Sequence, residues 1–266
     1  MTDLHCDRFG TGRPAIFVHG IFGWGLDTFP EQVAVADDYQ VIILDRRGFG
    51  QSPPAPETAG WPIDVPDLIA LLEEVGGAHL VGHSYGAVDC LLAAGQRPDL
   101  IHSLVVIEPN LLDLVTHEPG PAAVVARLHS LYTAAPGMTA AEFIASFAAS
   151  TGRSPEAATA WVESLGPTDW AAVETSRRER WPGDAPVDLG AIAAAGFLTG
   201  VVAGGWPPRG GQPPSPFGLA MRAVSEAVAL GVGAQLTVLE AAYHSPQMED
   251  AGHFNAFLRD VWANTP

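Results

Sequence analysis

The sequence predicts an α/β protein built on a doubly wound, mostly parallel sheet. Short apolar runs alternate with stretches of helical spacing along the 266 residues, an order that produces right-handed strand–helix–strand crossovers. The apolar runs lack polar alternation, which suits strands covered on both faces by helices. The length suits one large domain able to bury a sizeable core. A hydrophobic fraction of 47% argues against disorder.

The first run, in PAIFVHG, predicts a buried strand from Ala15 to Val18 that feeds a glycine loop. The second, in YQVIILDRRGFG, predicts a strand from Gln40 to Leu44, again ending in glycines. IDVPDLIALLEEV has helical spacing and an acidic start, as a first helical turn prefers. AHLVGHS is the third strand, YGAVDCLLAAGQRP a helix ended by Pro98, and IHSLVVIEP the fourth strand. From about Leu112 to Pro186 the pattern becomes Ala-rich with helical spacing, carries Phe143, Phe147, Trp161, Trp170 and Trp181, and shows no strand. It reads as a helical lid, residues 112–186, inserted into a core domain made of residues 1–111 and 187–266. The sheet resumes with FLTGVVAGG, followed by a helix over about Pro216 to Leu230 and the strand AQLTVLE. The last helix, AGHFNAFLRDVW, sets Phe254, Phe257, Leu258 and Val261 on one face. GGWPPRGGQPPSP is rich in Pro and Gly but short, so it reads as a loop.

The net charge of −17 argues against nucleic acid or an anionic membrane as partner, since both reward Lys and Arg. A small-molecule substrate is the expected partner. Two distant cysteines, Cys6 and Cys90, predict reduced thiols in a cytoplasmic protein rather than a disulfide framework or a zinc site. The start MTDLHCDRFGTGRP has neither the basic nor the apolar part of a signal peptide. No apolar run is long and clean enough to span a membrane.

Chemistry concentrates at VGHSYGA. Gly82-His83-Ser84-Tyr85-Gly86 fits G-x-S-x-G, with a strand before it and a helix after it. In such an elbow the serine sits in a strained turn, and the glycines leave room for it. A nucleophilic serine needs a base, an acid that orients the base, and donors for an oxyanion.

With VHGIFGWG, DRRGFGQS and YHSPQ beside that elbow, the chain resembles the α/β-hydrolase superfamily over about Arg13 to Leu111 and Ala191 to Val261. The resemblance implies a seryl nucleophile at Ser84. It implies an oxyanion hole from the N–H of Tyr85, which opens a helix, and a second N–H after His19-Gly20. That second donor maps to Ile21, with Gly20 and Phe22 as near alternatives. Asp45 precedes the serine and reads as structural, because the family's order is Ser, acid, His. His244 lies in the loop after the final strand and is the expected base, whereas His253 falls inside the last helix. The acid's usual position, after FLTGVVAGG, holds no Asp or Glu. A minority of relatives, zearalenone-type lactonases among them, place the acid after the family's sixth strand. Here that strand is SLVVIEP, and Glu108 ends it, with Asp113 as the runner-up. A carboxylate ending an apolar strand needs a partner, and an imidazolium would provide one.

The expected activity is therefore acyl transfer to water on an ester, lactone or thioester, without cofactor or metal. The lid aromatics, with Trp24 and Trp206, point to an apolar or aromatic substrate portion. His83 is a further candidate to line the pocket, although local hydrogen bonding explains it and His19 as well. The competing classes are a slow or inactive ligand-binding protein and a non-hydrolytic lyase, cyclase or cofactor-free oxygenase, because a fold alone does not set function.

Overall fold

The computed structural model describes residues 3–208 and 214–265. Residues 209–213 of the Pro/Gly-rich stretch read as a loop lie outside the described residues. Seven strands form one sheet in the order β1-β3-β2-β4-β5-β6-β7. They are β1 Cys6–Phe9, β2 Arg13–Val18, β3 Tyr39–Leu44, β4 Ala78–His83, β5 Ile101–Ile107, β6 Leu198–Gly204 and β7 Leu236–Leu239. β2 to β7 run parallel. β1 pairs antiparallel with β3.

Side chains alternate between two separate cores. Ile16, Val18, Ile42, Leu44, Leu80 and Leu104 join one hydrophobic cluster. Their strand neighbours Ala15, Phe17, Val41, Ile43, Val81 and Val105 join the other. Both faces are dry, which is why the strands read as continuous apolar runs.

The helices are α1 Gly25–Thr28, α2 Trp61–Val75, α3 Tyr85–Gln96, α4 Pro119–Ala134, α5 Ala140–Ser150, α6 Pro155–Glu163, α7 Pro167–Ser176, α8 Leu189–Ala194, α9 Pro216–Val232, α10 Pro246–Glu249 and α11 Ala251–Ala263. The first cluster is covered by α2, α3 and α9 through Leu68, Leu71, Val88, Leu91, Met221 and Val224. The second is covered by α11 through Phe254, Leu258, Val261 and Trp262, with Phe29 and Val35.

Two differences from the sequence reading have simple causes. β1 was not expected, because CDRF places two charges in four residues on a sheet edge, where no apolar run is required. The insertion leaves the sheet after the fifth strand in chain order, not the sixth, because this sheet has seven strands.

Four helices, α4 to α7, fill the insertion. Thr139 and Glu142 form a capping box at α5, and Ser154 Oγ accepts from Ala157 N at α6. Val124, Leu128, Phe143 and Ile144 belong to the same cluster as the sheet residues beneath them. The far end of the insertion is tied to the core by Thr175 Oγ1 donating to Gly48 O (2.7 Å) and by a two-way bridge between Ala59 and residues Arg178 and Arg180.

Candidate active site

β4 delivers Ser84 to the carboxyl end of the sheet, and α3 starts at the next residue. Ser84 has φ 55° and ψ −114°, a conformation that L-residues adopt only under constraint. Its N–H donates to Ile107 O (2.9 Å), and its carbonyl accepts from Asn110 N (3.2 Å). The flanking glycines are required by close approach. A Cβ at Gly82 would lie 2.5 Å from Gly86 O, and a Cβ at Gly86 would lie 2.4 Å from the carbonyl oxygens of Val18 and His19. A side chain at either position would push α3 off the sheet.

Three side chains distant in sequence meet here. His244 follows β7, and its Nε2 lies 3.1 Å from Ser84 Oγ. Its Nδ1 lies 3.2 Å from Glu108 Oε2. Glu108 is fully buried at the end of β5. Its other oxygen accepts from Gly204 N (2.9 Å) and Trp206 Nε1 (3.2 Å). Three donors thus surround one buried carboxylate, which offsets the cost of its burial. Facing that acceptor, Nδ1 carries the proton, which leaves Nε2 free to accept from the serine hydroxyl.

The other candidates are engaged in other contacts. His253 is exposed and pairs with Asp250 (2.7 Å). Asp113 accepts from Trp181 Nε1 (3.1 Å) within the insertion. Asp45 accepts from Gly25 N and Gln51 N, both at 2.8 Å, and so fixes the loop after β3. His83 Nε2 donates to the carbonyl of His244 (2.7 Å), and burial pushes its pKa down to about 3. It is a neutral tether for the loop that carries His244.

The loop after β2 is pinned from behind. Arg46 Nη2 donates to Gly20 O (2.7 Å), and His19 Nδ1 donates to the same oxygen (2.8 Å). His19 accepts from Arg46 N at Nε2 (2.9 Å), and burial, reinforced by the charge of Arg46, keeps its ring neutral. A trans peptide points its N–H opposite to its C=O. Fixing the Gly20 carbonyl against Arg46 therefore turns the Ile21 N–H the other way. Phe22 N–H donates to Ser176 Oγ (3.0 Å), so it is already occupied. Tyr85 sends its side chain away from the site, its hydroxyl donating to Arg180 O (3.0 Å). That leaves its main-chain N–H among the first-turn donors of α3, which have no intrahelical acceptor.

Arg46 is itself the centre of a buried cluster that the sequence reading did not single out. It lies 2.8 Å from Asp64, 2.6 Å from Glu179 and 3.7 Å from Asp89. One guanidinium faces three carboxyls, so burial pushes all three pKa values up, Glu179 to about 7. Neither oxygen of Asp89 has a hydrogen-bond partner, and burial pushes its carboxyl well above the usual carboxylate range.

Ser84 and His244 open onto a cavity of about 1140 Å³ between the sheet and the insertion. Ile21, His83 and Trp206 line it, as do Phe22, Phe147 and Trp161. Trp24, named from the sequence as a lining residue, does not line it. Trp24 is the N-cap of α1, its carbonyl accepting from Thr28 N. Phe22 takes that place, with its ring against Phe143, Phe147 and Trp161. Among the described residues, no group of three or more His, Cys, Asp and Glu is placed to hold a metal ion, and no helix is long and apolar enough to cross a membrane.

This fold and site define a class. The family model described as alpha/beta hydrolase fold matches residues 14–188, and the chain belongs to that family. The 2-(acetamidomethylene)succinate hydrolase of Mesorhizobium japonicum is 38% identical over 108 residues, 40% of this chain and 38% of that protein. The mouse sn-1-specific diacylglycerol lipase ABHD11 is 36% identical over 100 residues, 36% of this chain and 32% of that protein. Each match thus spans less than two fifths of the relative. Among solved structures, a thermophilic esterase from Thermogutta terrifontis superposes with a TM-score of 0.66 at 22% identity, covering 97% of this chain and 93% of that one. It shares the fold.

Proposed function

We propose that this chain is a serine hydrolase that cleaves an ester, lactone or thioester with a large apolar or aromatic portion. The observation that carries the reading is the unbroken hydrogen-bond line from Ser84 Oγ through the His244 ring to Glu108. His244 Nε2 takes the hydroxyl proton as Ser84 Oγ bonds to the substrate carbonyl carbon. The carbonyl oxygen becomes an oxyanion, and the N–H groups of Ile21 and Tyr85 receive it, aided by the amino end of α3. His244 then gives its proton to the leaving oxygen or sulfur as that bond breaks, which leaves an acyl-Ser84. Water repeats the sequence, its proton passing to His244 and then to Ser84 Oγ, and the free acid departs. Glu108 holds the His244 tautomer and stabilises its charged form. Residues 112–186 act as a lid, and their aromatic rings supply the apolar wall against which the substrate desolvates. The names of the two curated relatives, a hydrolase and a lipase, support hydrolysis. The two unpaired cysteines support a reducing, cytoplasmic setting.

The test is intact mass after exposure to a fluorophosphonate, with peptide mapping. Stoichiometric labelling at Ser84 that is lost in His244→Ala is the expected result. An unlabelled, folded protein with both small and bulky probes would refute the reading.

A further inference from the structure

The cavity wall mixes aromatic and aliphatic side chains with polar ones, and beside the nucleophile one of the polar ones, Asn110, makes no side-chain hydrogen bond to any described residue. Asn110 lies two residues beyond Glu108 and is only 9% exposed. Its main-chain N–H donates to the carbonyl of Ser84 (3.2 Å), which locks it next to Ser84. Its side chain lines the cavity, and its Oδ1 is buried with no hydrogen-bond donor. The side-chain nitrogen donates to no described residue. A buried amide oxygen left without a donor costs stability, and a fold tolerates that cost where a ligand supplies one. We infer that Asn110 selects the substrate, and that the substrate is an ester or lactone bearing a hydroxyl group within hydrogen-bond reach of Asn110, near the scissile carbonyl. The unmet group is an acceptor, so the substrate must bring a donor, and a hydroxyl supplies one while it can also accept from the amide nitrogen. A site that hydrogen-bonds a substrate hydroxyl also rejects the analogue that lacks it, because the buried amide then stays unpaired.

This inference rests on the hydrolase reading and deepens it. The test compares phenyl β-hydroxybutyrate with phenyl butyrate as substrates and as competitors of fluorophosphonate labelling. The wild type should prefer the hydroxy ester in kcat/KM by about tenfold, the worth of one neutral hydrogen bond. Asn110→Leu should bring the ratio to about one, the two esters being compared within the variant so that any general loss of activity cancels, with Ser84 still labelled. Asn110→Ser, smaller but still able to donate and accept, should retain part of the preference and covers the case in which the leucine variant does not fold. A wild-type ratio near one, or a ratio unchanged in Asn110→Leu, with Ser84 still labelled, overturns the role of Asn110 and leaves the hydrolase reading standing. No labelling and no turnover of either ester overturns both.

Discussion

Glu108→Gln isolates the electrostatic part of the site with little steric change. The carboxylate oxygen that accepts from Gly204 N and Trp206 Nε1 must stay an acceptor, so the new amide oxygen takes that side. The amide NH2 then faces His244 Nδ1, 3.2 Å away, where the carboxylate had been. Two donors cannot share that contact, so Nδ1 loses its proton and becomes the acceptor. Nε2 then carries the hydrogen and points it at Ser84 Oγ, the wrong tautomer for a base. Loss of the correct tautomer and of the negative charge together costs about 10⁴-fold in kcat, or about 5.5 kcal/mol of transition-state stabilisation. All three contacts keep a hydrogen bond, the one to His244 with its direction reversed, so the melting temperature should stay within roughly 4 °C of wild type. The assay is steady-state hydrolysis of an activated aryl ester beside thermal unfolding. A kcat within tenfold of wild type in a normally folded variant would refute the role given to Glu108.

Three further perturbations probe the supports. Ser176→Ala removes the acceptor of the Phe22 N–H and frees the loop that carries Ile21; kcat should fall about tenfold with KM held, and an unchanged kcat would detach Ser176 from the oxyanion loop. Gly86→Ala sets a methyl group 2.4 Å from two carbonyl oxygens; overpacking of about 1–3 kcal/mol should lower the melting temperature by roughly 3–10 °C, and an unchanged melt would show that the elbow has slack. Glu179 titrates at about 7 because burial outweighs the pull of Arg46, against about 4.3 in an unfolded chain. The native state therefore binds the extra proton between those values, and stability falls as pH rises through that window, by up to about 1.4 kcal/mol per pH unit. Urea midpoints should fall across the window in wild type and less steeply in Glu179→Gln, where Asp64 and Asp89 still titrate, and parallel slopes would contradict the assignment.

Much of the sheet was legible because each interior strand is apolar on both faces. Ile16 and Phe17 enter different cores and are both fully buried. β1 was not legible, since Asp7 and Arg8 carry no apolar signal and the strand exists by virtue of its ladder with β3. The residues brought to Ser84 were legible for a local reason: Glu108 directly follows β5, and His244 follows the final strand. The supports of the oxyanion loop were not. Arg46 meets Glu179 across 133 residues, and Phe22 meets Ser176 across 154. Neither pair has a local pattern, because each contact is made by the way the insertion folds back on the core. Trp24 was misplaced for the converse reason: a large aromatic in a glycine loop is conspicuous in sequence, but the turn into α1 decides which of two neighbouring rings faces the cavity.

Four non-glycine residues among those described have positive φ: Phe22, Ser84, Glu108 and Trp206. Each stands at or just beyond the carboxyl end of a parallel strand, after β2, β4, β5 and β6 in turn. No propensity favours a phenylalanine, a glutamate or a tryptophan in that region, so each is held there by its contacts. Phe22 is held by Ser176, Ser84 by Ile107 and Asn110, Glu108 by the carbonyl of Val202, and Trp206 by the carbonyl of Ala242. The four turns bend the chain sharply where the sheet ends, and the side chains of Ser84 and Glu108 come within reach of one imidazole ring. Local preference and native structure disagree at these positions and agree along the strands that precede them. Such disagreement is expected where a fold spends stability on geometry, and here it surrounds Ser84.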